Sequence, residues 1–428
     1  MNNQEIISRR QYCQIVKEIT GSDQYLVVGI DVGKDKHHGF MGSATGKSLF
    51  RKLIFENNLD GFSQLLKTAE AIKVQNGLSK TLYGLEPTGN YHKPLARHLI
   101  RCGRNVVLVT GEAVKNNRAL LDGRWDKNDT KDAANIADLI SRGRCLYYDC
   151  PSSNIIELRS LLSLRRKLKR EEHGLRMRIR NNLLAQYFPE LDRFYSACES
   201  ESLAIVRWCL NPGAIAAMEF GEFFQMVTRT RRGTAQLLRL RKIHQQAVES
   251  VGCPLGPAAE YEAGLLVKKL KQVRQQVKKT NDLIQDFCLE FTEYSYLLTI
   301  PGFGPYVSAR VLASIGDPFR FENRKQLIKL AGYDLCADRS GKTSTKAVPV
   351  ISKKGNGELR YALYQASNVA AAKVDLFRTY FTRLLRGREY ERGIKTKMRV
   401  KLAVKMLVIA WTLMKKREVF DPAYLNIE

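Results

Sequence analysis

No stretch of this chain approaches the roughly 20 consecutive apolar residues that a membrane-spanning helix requires. Residues 1–24 are polar and mixed in charge, without the apolar core of a secretion signal, so no leader is expected. The nine Cys are scattered, the closest pair is Cys145 and Cys150, and no Cys-x-x-Cys occurs. That argues against zinc knuckles and a disulfide framework and favours a reducing, cytoplasmic setting. The six His form no His-x-His or His-Glu-x-x-His pattern; His37-His38 reads as a solvated turn, with a flanking role at a metal as the other option. No helix-turn-helix or zinc finger is apparent, so the chain carries no obvious base-reading module. Acidic residues are in shortage too: Asp plus Glu is 43 against 70 Lys plus Arg, a net charge of +27. Such an excess implies a polyanionic partner, and nucleic acid comes first because phosphate neutralisation by Lys and Arg is its main source of affinity. A membrane surface is the weaker option, lacking any hydrophobic span beside the basic residues.

What is present begins with enough chain, 428 residues at 44% hydrophobic, for two or three domains with real cores. Tyr25-Leu26-Val27-Val28-Gly29-Ile30 predicts a buried strand that delivers Asp31 at its end. Two further strands are expected at residues 39–41 and 48–55, then a helix over 59–72. Residues 81–86 predict a strand ending in Glu86, followed by a helix over 91–102, a strand over 105–109 and helices over 113–121 and 132–141. In Lys127-Asn128-Asp129-Thr130-Lys131-Asp132-Ala133, Asp129 and Asp132 are three residues apart at a helix start, on one face with Cβ atoms about 5–6 Å apart. Two strand-end carboxylates and a helical pair suggest a metal site that cuts a phosphodiester. Mg²⁺ takes hard oxygen ligands from separate elements, and two ions about 3.5–4 Å apart serve the attacking and leaving oxygens. Three strands followed by alternating helices and strands is the order of an RNase H-like domain.

Past Pro151 a long helix is expected. Residues 155–182 hold nine Lys or Arg against three Glu, with Leu158, Leu161, Leu162, Leu168 and Leu175 as an apolar stripe. This favours a nucleic-acid-facing helix, with Arg165, Arg166 and Lys167 as contacts. Arg229, Arg231, Arg232, Arg239, Arg241 and Lys242 form a second basic patch, while Phe220, Phe223 and Phe224 read as core. Leu266, Leu270, Val273, Val277, Ile284, Phe287 and Phe291 follow a heptad pattern with Thr280 in the missing slot. It predicts a coiled-coil strut, used for dimerisation or for packing against residues 155–182, with dimerisation preferred. From residue 297, helix, Gly302-Phe303-Gly304 hairpin and helix form a helix-hairpin-helix-like motif, whose glycines allow a phosphate near a helix N-terminus. Residues 373–401 hold ten basic side chains against three acids, and 398–416 is an amphipathic helix with Leu402, Met406, Ile409 and Leu413 inward.

The motifs Asp31-Val32-Gly33-Lys34, Gly84-Leu85-Glu86-Pro87-Thr88-Gly89-Asn90-Tyr91 and Lys127-x-Asp129-x-x-Asp132-Ala133 resemble those of the DEDD transposases of the IS110/IS1111 insertion-sequence family. So do Phe319-x-Phe321, Leu327-x-x-Leu330-Ala331-Gly332-Tyr333, Asp338-Arg339-Ser340-Gly341-Lys342 and Ser352-Lys353-Lys354-Gly355-Asn356. The resemblance covers residues 25–145 and 296–372. It implies a RuvC-like (RNase H-like) α/β domain at residues 25–150 after an extension over 1–24. A basic helical and coiled-coil linker at 151–295 and a mostly helical transposase domain at 296–428 follow. It places the tetrad, binding Mg²⁺, at Asp31, Glu86, Asp129 and Asp132. The motif register decides against Asp126, and Asp35 and Asp138 read as ordinary surface charges. One departure, Val109-Thr110-Gly111 in place of a Val-Asn-Pro-like turn, is expected to lie away from the carboxylates. The resemblance further implies a serine nucleophile at Ser340, with Ser344 and Thr343 disfavoured. Arg339, Lys342, Lys346, Lys353, Lys354 and Arg360 are near it in sequence and able to hold a phosphate. Donor and target DNA, a structured guide RNA and a dimer or tetramer are implied as partners.

Three functions compete. A DEDD transposase would cleave DNA through Ser340, with metals and serine docking within one protomer or between two. A junction-resolving endonuclease would use the same carboxylates with water as nucleophile. A non-enzymatic nucleic-acid scaffold would need none of them.

Overall fold

The structure, a computed structural model, describes residues 9–122, 129–148, 151–194, 200–208, 210–228, 233–336 and 349–425. It divides into two compact units, Met1–Pro151 and Ser152–Glu428. The first is built on a six-stranded sheet of order β3-β2-β1-β4-β5-β6. Strands β1 (Tyr25–Val32), β2 (Lys36–Ser43) and β3 (Ser48–Glu56) form an antiparallel meander. Strand β4 (Lys80–Leu85) then joins β1 in parallel, β5 (Asn105–Leu108) joins β4 in parallel, and the short β6 (Leu146–Tyr147) closes the edge antiparallel. This mixed sheet is consistent with the RNase H-like expectation; β6, only two residues long, has too little pattern to be read from sequence.

Side-chain alternation along the strands divides the packing. Leu26, Val28, Ile30 and Val32 face one side together with Tyr83, Leu85 and Val106, where α2 (Leu59–Gln75) and α3 (His92–Arg101) cover them. Tyr25, Val27, Leu82 and Val107 face the other side, against α1 (Arg9–Ile19), α4 (Gly111–Asp122) and α5 (Asp129–Ser141). The segment expected as a polar extension thus contains α1, whose Ile19 is fully buried in that layer.

Two glycines set the height of α5 above the sheet. Gly29 and Gly84 are direct partners across β1 and β4. A Cβ on Gly29 would come within 2.2 Å of the Ala133 carbonyl oxygen and 2.6 Å of the Ala137 nitrogen. A Cβ on Gly84 would come within 1.9 Å of Ile140 Cδ1. The helix backbone therefore lies directly on the sheet at Gly29, while at Gly84 the Ile140 side chain fills the space that a Cβ would take.

The second unit is helical. Helix α6 (Ser153–Arg178) starts at the Ser152 cap and runs on through a π turn (Ile179–Leu184) and α7 (Ala185–Tyr187). After α8 (Ser200–Trp208), α9 (Pro212–Ala216), α10 (Phe220–Val227) and α11 (Thr234–Val248) comes the 32-residue α12 (Pro257–Cys288). Phe223 is fully buried and Phe220 and Phe224 pack on the same cluster, as core residues. Arg165 meets Asn281, Glu172 meets Arg274 and Arg178 meets Glu262, so α6 and α12 run antiparallel. The heptad face of α12 (Leu266, Leu270, Val273, Val277, Thr280 and Ile284) is buried within the chain, ending on Cys288, with Phe287 half-buried. The preferred use of that face, dimerisation, is corrected: it is spent on this chain's own helices.

Beyond α12, α13 (Thr292–Leu298) turns through Gly302 into α14 (Pro305–Ile315), followed by α15 (Arg324–Ala331). A two-stranded hairpin, β7 (Leu335–Cys336) with β8 (Val350–Ile351), leads to α16 (Gly357–Lys373), α17 (Asp375–Leu385) and α18 (Ile394–Lys416). Leu402, Met406, Ile409 and Leu413 of α18 are buried as the periodicity predicts. Ile155, Leu158 and Leu162 of α6 share this apolar cluster.

Gly29→Ala should destabilise the protein at or above the upper end of the ~1–3 kcal/mol range for overpacking, because backbone atoms stand in the way. Gly84→Ala should cost less, because the end of the Ile140 side chain can rotate aside. Urea unfolding of both variants checks this. A Gly29→Ala protein as stable as wild type, or stabilised by the ~0.4–1 kcal/mol that a strain-free Gly→Ala change contributes, would show that α5 does not lie so close.

Candidate carboxylate centre and basic surfaces

Asp31 follows Gly29 by two residues and Glu86 follows Gly84 by two, so both carboxylates point to the sheet face that α5 covers. They stand at the ends of neighbouring parallel strands, where the Glu86 backbone N–H donates to the Ile30 carbonyl at 3.4 Å. Each is half-buried. Glu86 also meets the start of α4: a Cβ on Gly111 would lie 2.7 Å from Glu86 Oε1. The expectation that the Val109-Thr110-Gly111 turn lies away from the carboxylates is therefore corrected, because β5 runs parallel to β4 and its turn emerges at the same edge. The N-terminal end of a helix favours a negative charge placed there.

The helical pair is placed differently. Asp129 is the first residue of α5, with its side chain outside the described residues, as is Asp126 altogether. Asp132 is buried, at 3% exposure. Both of its oxygens accept from Arg118 of α4, Nε to Oδ1 and Nη2 to Oδ2, each at 3.0 Å. Asp138, expected as a surface charge, instead accepts from Asn117 at 2.8 Å and pairs with Arg142 at 2.9 Å. Asp35 is exposed, as expected. Among the described residues no three carboxylate, His or Cys side chains converge on one point. Asp31 and Glu86 supply the hard oxygen donors that suit a divalent ion such as Mg²⁺; the carboxylate of Asp132 is engaged by Arg118.

The reading of His37-His38 as a solvated turn is overturned, because both lie within β2. His38 is in register with Asp31, and His37 with Val32. His37 therefore faces the opposite side, fully buried, with ring centroids 5.1 Å from Phe55 and 6.2 Å from Phe62. Burial holds its pKa below the ordinary histidine value, and His92 shifts the same way for the same reason. Arg118 has no signal in the sequence; only the fold sets it beside a carboxylate 14 residues away.

In the second unit, Ser340, Arg339, Lys342 and Lys346 lie outside the described residues, as do Arg229, Arg231 and Arg232. The flanks of the Ser340 segment are placed: Cys336 pairs with Val350 across β7 and β8. Ser352 Oγ donates to Asp334 at 2.6 Å beside this hairpin. Lys353, with φ of 55°, and Lys354 are exposed, whereas Arg360 donates to the carbonyls of Ala331 at 2.9 Å and Lys353 at 3.4 Å. The Arg165 guanidinium lies 3.7 Å from the ring centre of Tyr306, Arg166 pairs with Glu358 at 3.2 Å, and Lys167 is exposed. On α11, Arg241 lies over Phe220 and Lys242 is exposed beside it, while Arg239 is half-buried. Gly302, with φ of 95°, is packed on α16, where an added Cβ would lie 3.0 Å from Ala370 Cβ; Gly304, capping α14, is open on its Cβ side.

Comparison with known proteins bears on both units. A family model for transposases, of the DEDD type found in IS110, matches residues 28–189. A second, described as transposase of the IS116/IS110/IS902 family, matches residues 294–382. The chain is similar to an uncharacterized protein of insertion element IS116 from Streptomyces clavuligerus, 24% identical over 400 residues that cover 92% of this chain and 96% of that protein. It is also similar to an uncharacterized protein of insertion element IS110 from Streptomyces coelicolor, 25% identical over 395 residues, covering 89% and 93% respectively. An uncharacterized protein of insertion element IS900 from Mycobacterium paratuberculosis is 21% identical over 399 residues, covering 92% and 97%.

His37 makes stability pH-dependent. Its folded pKa is depressed, so the unfolded chain binds the proton more readily and the stabilisation present above the unfolded value is lost as pH falls. Between pH 7 and 5.5 the unfolding free energy should drop, by at most about 1.4 kcal/mol per pH unit for each buried His. His37→Phe, packed between Phe55 and Phe62, should flatten that slope in urea titrations; an unchanged slope would remove His37 as its source.

Proposed function

Because the chain belongs to the IS116/IS110/IS902 family of insertion-sequence transposases, we propose that it cleaves and exchanges DNA strands at a divalent-metal centre, with Ser340 as nucleophile. The observation that carries this reading is the placement of Asp31 and Glu86 at adjacent strand ends, on the face to which Gly29 and Gly84 admit α5. An RNase H-like sheet with this order supports it. Asp31, Glu86, Asp129 and Asp132 would hold Mg²⁺, in the two-ion arrangement; when bound, the metal supplies charge stabilisation at the attacking and leaving oxygens.

The chain's own residues do the rest. Through the cation they would hold, the carboxylates would set the place of a DNA phosphate at the strand ends. The Ser340 hydroxyl oxygen attacks phosphorus as its proton leaves, forming a phosphoserine bond, while the bond to the leaving sugar oxygen breaks and that oxygen takes up a proton. A second strand's hydroxyl reverses the step, which releases the serine and joins the new strand. Arg339, Lys342, Lys353 and Lys354 neutralise phosphates around the serine. The net charge of +27 and the lack of a base-reading motif support a guide RNA that reads sequence by pairing while the protein holds backbone and shape. A homo-oligomer completes the reading.

Ser340→Ala should abolish both the covalent protein–DNA adduct and recombination, and Asp31→Asn or Glu86→Gln should abolish Mg²⁺-dependent cleavage while leaving DNA binding intact. Cleavage at the normal rate in Ser340→Ala would make water the nucleophile and the protein a junction-resolving endonuclease. Normal cleavage in the Asp31 and Glu86 variants would sink the metal centre itself. Sequencing the RNA that copurifies tests the guide: RNA matching the DNA that flanks the gene is expected, and its absence would count against RNA guidance.

A further inference from the structure

Arg118 occupies the one helix carboxylate of the proposed metal set whose side chain is placed. The Asp132 side chain is 4% exposed and that of Arg118 18%, with the two-point fork between them. Such buried pairs add little net stability, because desolvating two charges offsets their attraction. Nor is the pair needed to fasten α4 to α5. Asn117 already donates to Asn135 at 2.7 Å and to Asp138 at 2.8 Å, and Asn135 donates to the Val114 carbonyl at 2.7 Å. The pair's position is more telling. Asp132 immediately precedes Ala133, whose carbonyl presses on Gly29, two residues before Asp31 on the same sheet face. Arg118 shares its helix with Gly111, which abuts the Glu86 carboxylate. One helix therefore touches both a strand-end carboxylate and the helix carboxylate. A guanidinium is charged at every working pH and repels a divalent cation, so its fork on both oxygens of Asp132 competes with a metal ion for that carboxylate.

We propose that Arg118 is a positioning residue that acts as an internal counterion. It holds Asp132 in place and neutralised while no metal is bound, and yields it when a divalent ion enters between the strand ends and α5. This rests on the carboxylate-metal reading above. Loading then carries the cost of displacing Arg118, so the centre binds its metal more weakly than its carboxylates alone would, and the contact between α4 and α5 reports the metal state.

The test uses the full-length protein, with Mn²⁺ as probe, in calorimetric titration and in thermal unfolding with and without the ion. In EDTA, Arg118→Gln should unfold at a lower temperature than wild type, because Asp132 is left buried without its cation. Mn²⁺ should then raise its Tm by more than it raises that of wild type, and bind about tenfold more tightly, since ligand stabilisation follows the ratio of ion concentration to Kd. Arg118→Lys, which keeps the charge but loses the fork, should move both readouts in the same direction by less, and carries the test alone if Arg118→Gln does not fold. A Tm lowered equally with and without Mn²⁺, at unchanged affinity, would make the pair a fixed structural bridge and overturn the proposal. Asp31→Asn separates the two levels of inference. Loss of its Mn²⁺ response supports the carboxylate centre, whereas a full response would overturn the centre and the counterion exchange together.

Discussion

The seating of α5 on the two glycines of the sheet, its backbone against Gly29 and its Ile140 side chain against Gly84, is the constraint on which the first unit depends. Side chains ordinarily stand between a helix and the sheet it covers and hold the two apart. Here one partner has none, and Ala133 and Ala137 keep the other small. The closer approach brings the first turn of α5 toward the strand ends where Asp31 and Glu86 emerge. The same alternation that exposes the glycines to α5 places these carboxylates two residues further along, on the same face. Helix α4 then inherits its position from α5, through Arg118, Asn117 and Val114, and its first residue meets Glu86. Sheet, α5 and α4 thus form a chain of contacts that runs from Gly29 to Asp132 and Glu86.

The second unit is framed by the antiparallel α6 and α12. Near one end the pair contributes Ile155, Leu158, Leu162, Ile284 and Cys288 to the cluster shared with α13–α18. Toward the other, the π turn that continues α6 contributes Ile179 and Leu183, and α12 contributes Leu266 and Leu270, to the cluster under α8–α11. Between them lies a polar stretch in which Glu172 is buried. Burial opposes its ionisation, but hydrogen bonds from Lys169 and Arg274 outweigh this and hold its carboxyl below the usual range. The two helices are therefore joined by apolar contact, with a charged link at Glu172 between the two clusters. With 70 cationic side chains against 43 acidic ones, internal pairing still leaves a large positive excess for a polyanion.

Local pattern carried most of the secondary structure. The β-branched run before Asp31, the strand into Glu86, the heptad steps of α12 and the amphipathic period of α18 are all spelled in consecutive residues, because strand and helix periodicity depend on near neighbours alone. What each face meets is not local. The heptad face of α12 satisfies a second copy or a neighbouring helix equally well on paper, and the fold supplied α6. His37-His38 reads as polar, yet strand alternation sends His37 into a phenylalanine cluster and sets His38 opposite Asp31. Arg360, read as a phosphate ligand, spends donors on the chain's own carbonyls at Ala331 and Lys353.

The sequence by itself therefore determined most of the elements, the charge balance and the carboxylates at the strand ends, since each follows from residue type and spacing. Only the tertiary structure decided that the turn at Gly111 lies against Glu86, that Asp138 is tied to Asn117, and that the helix carboxylate of Lys127–Ala133 at Asp132 is held by a cation from α4. Each of these joins residues whose separation in the chain sets no distance, and only the packing of α4 and α5 over the sheet brings them together.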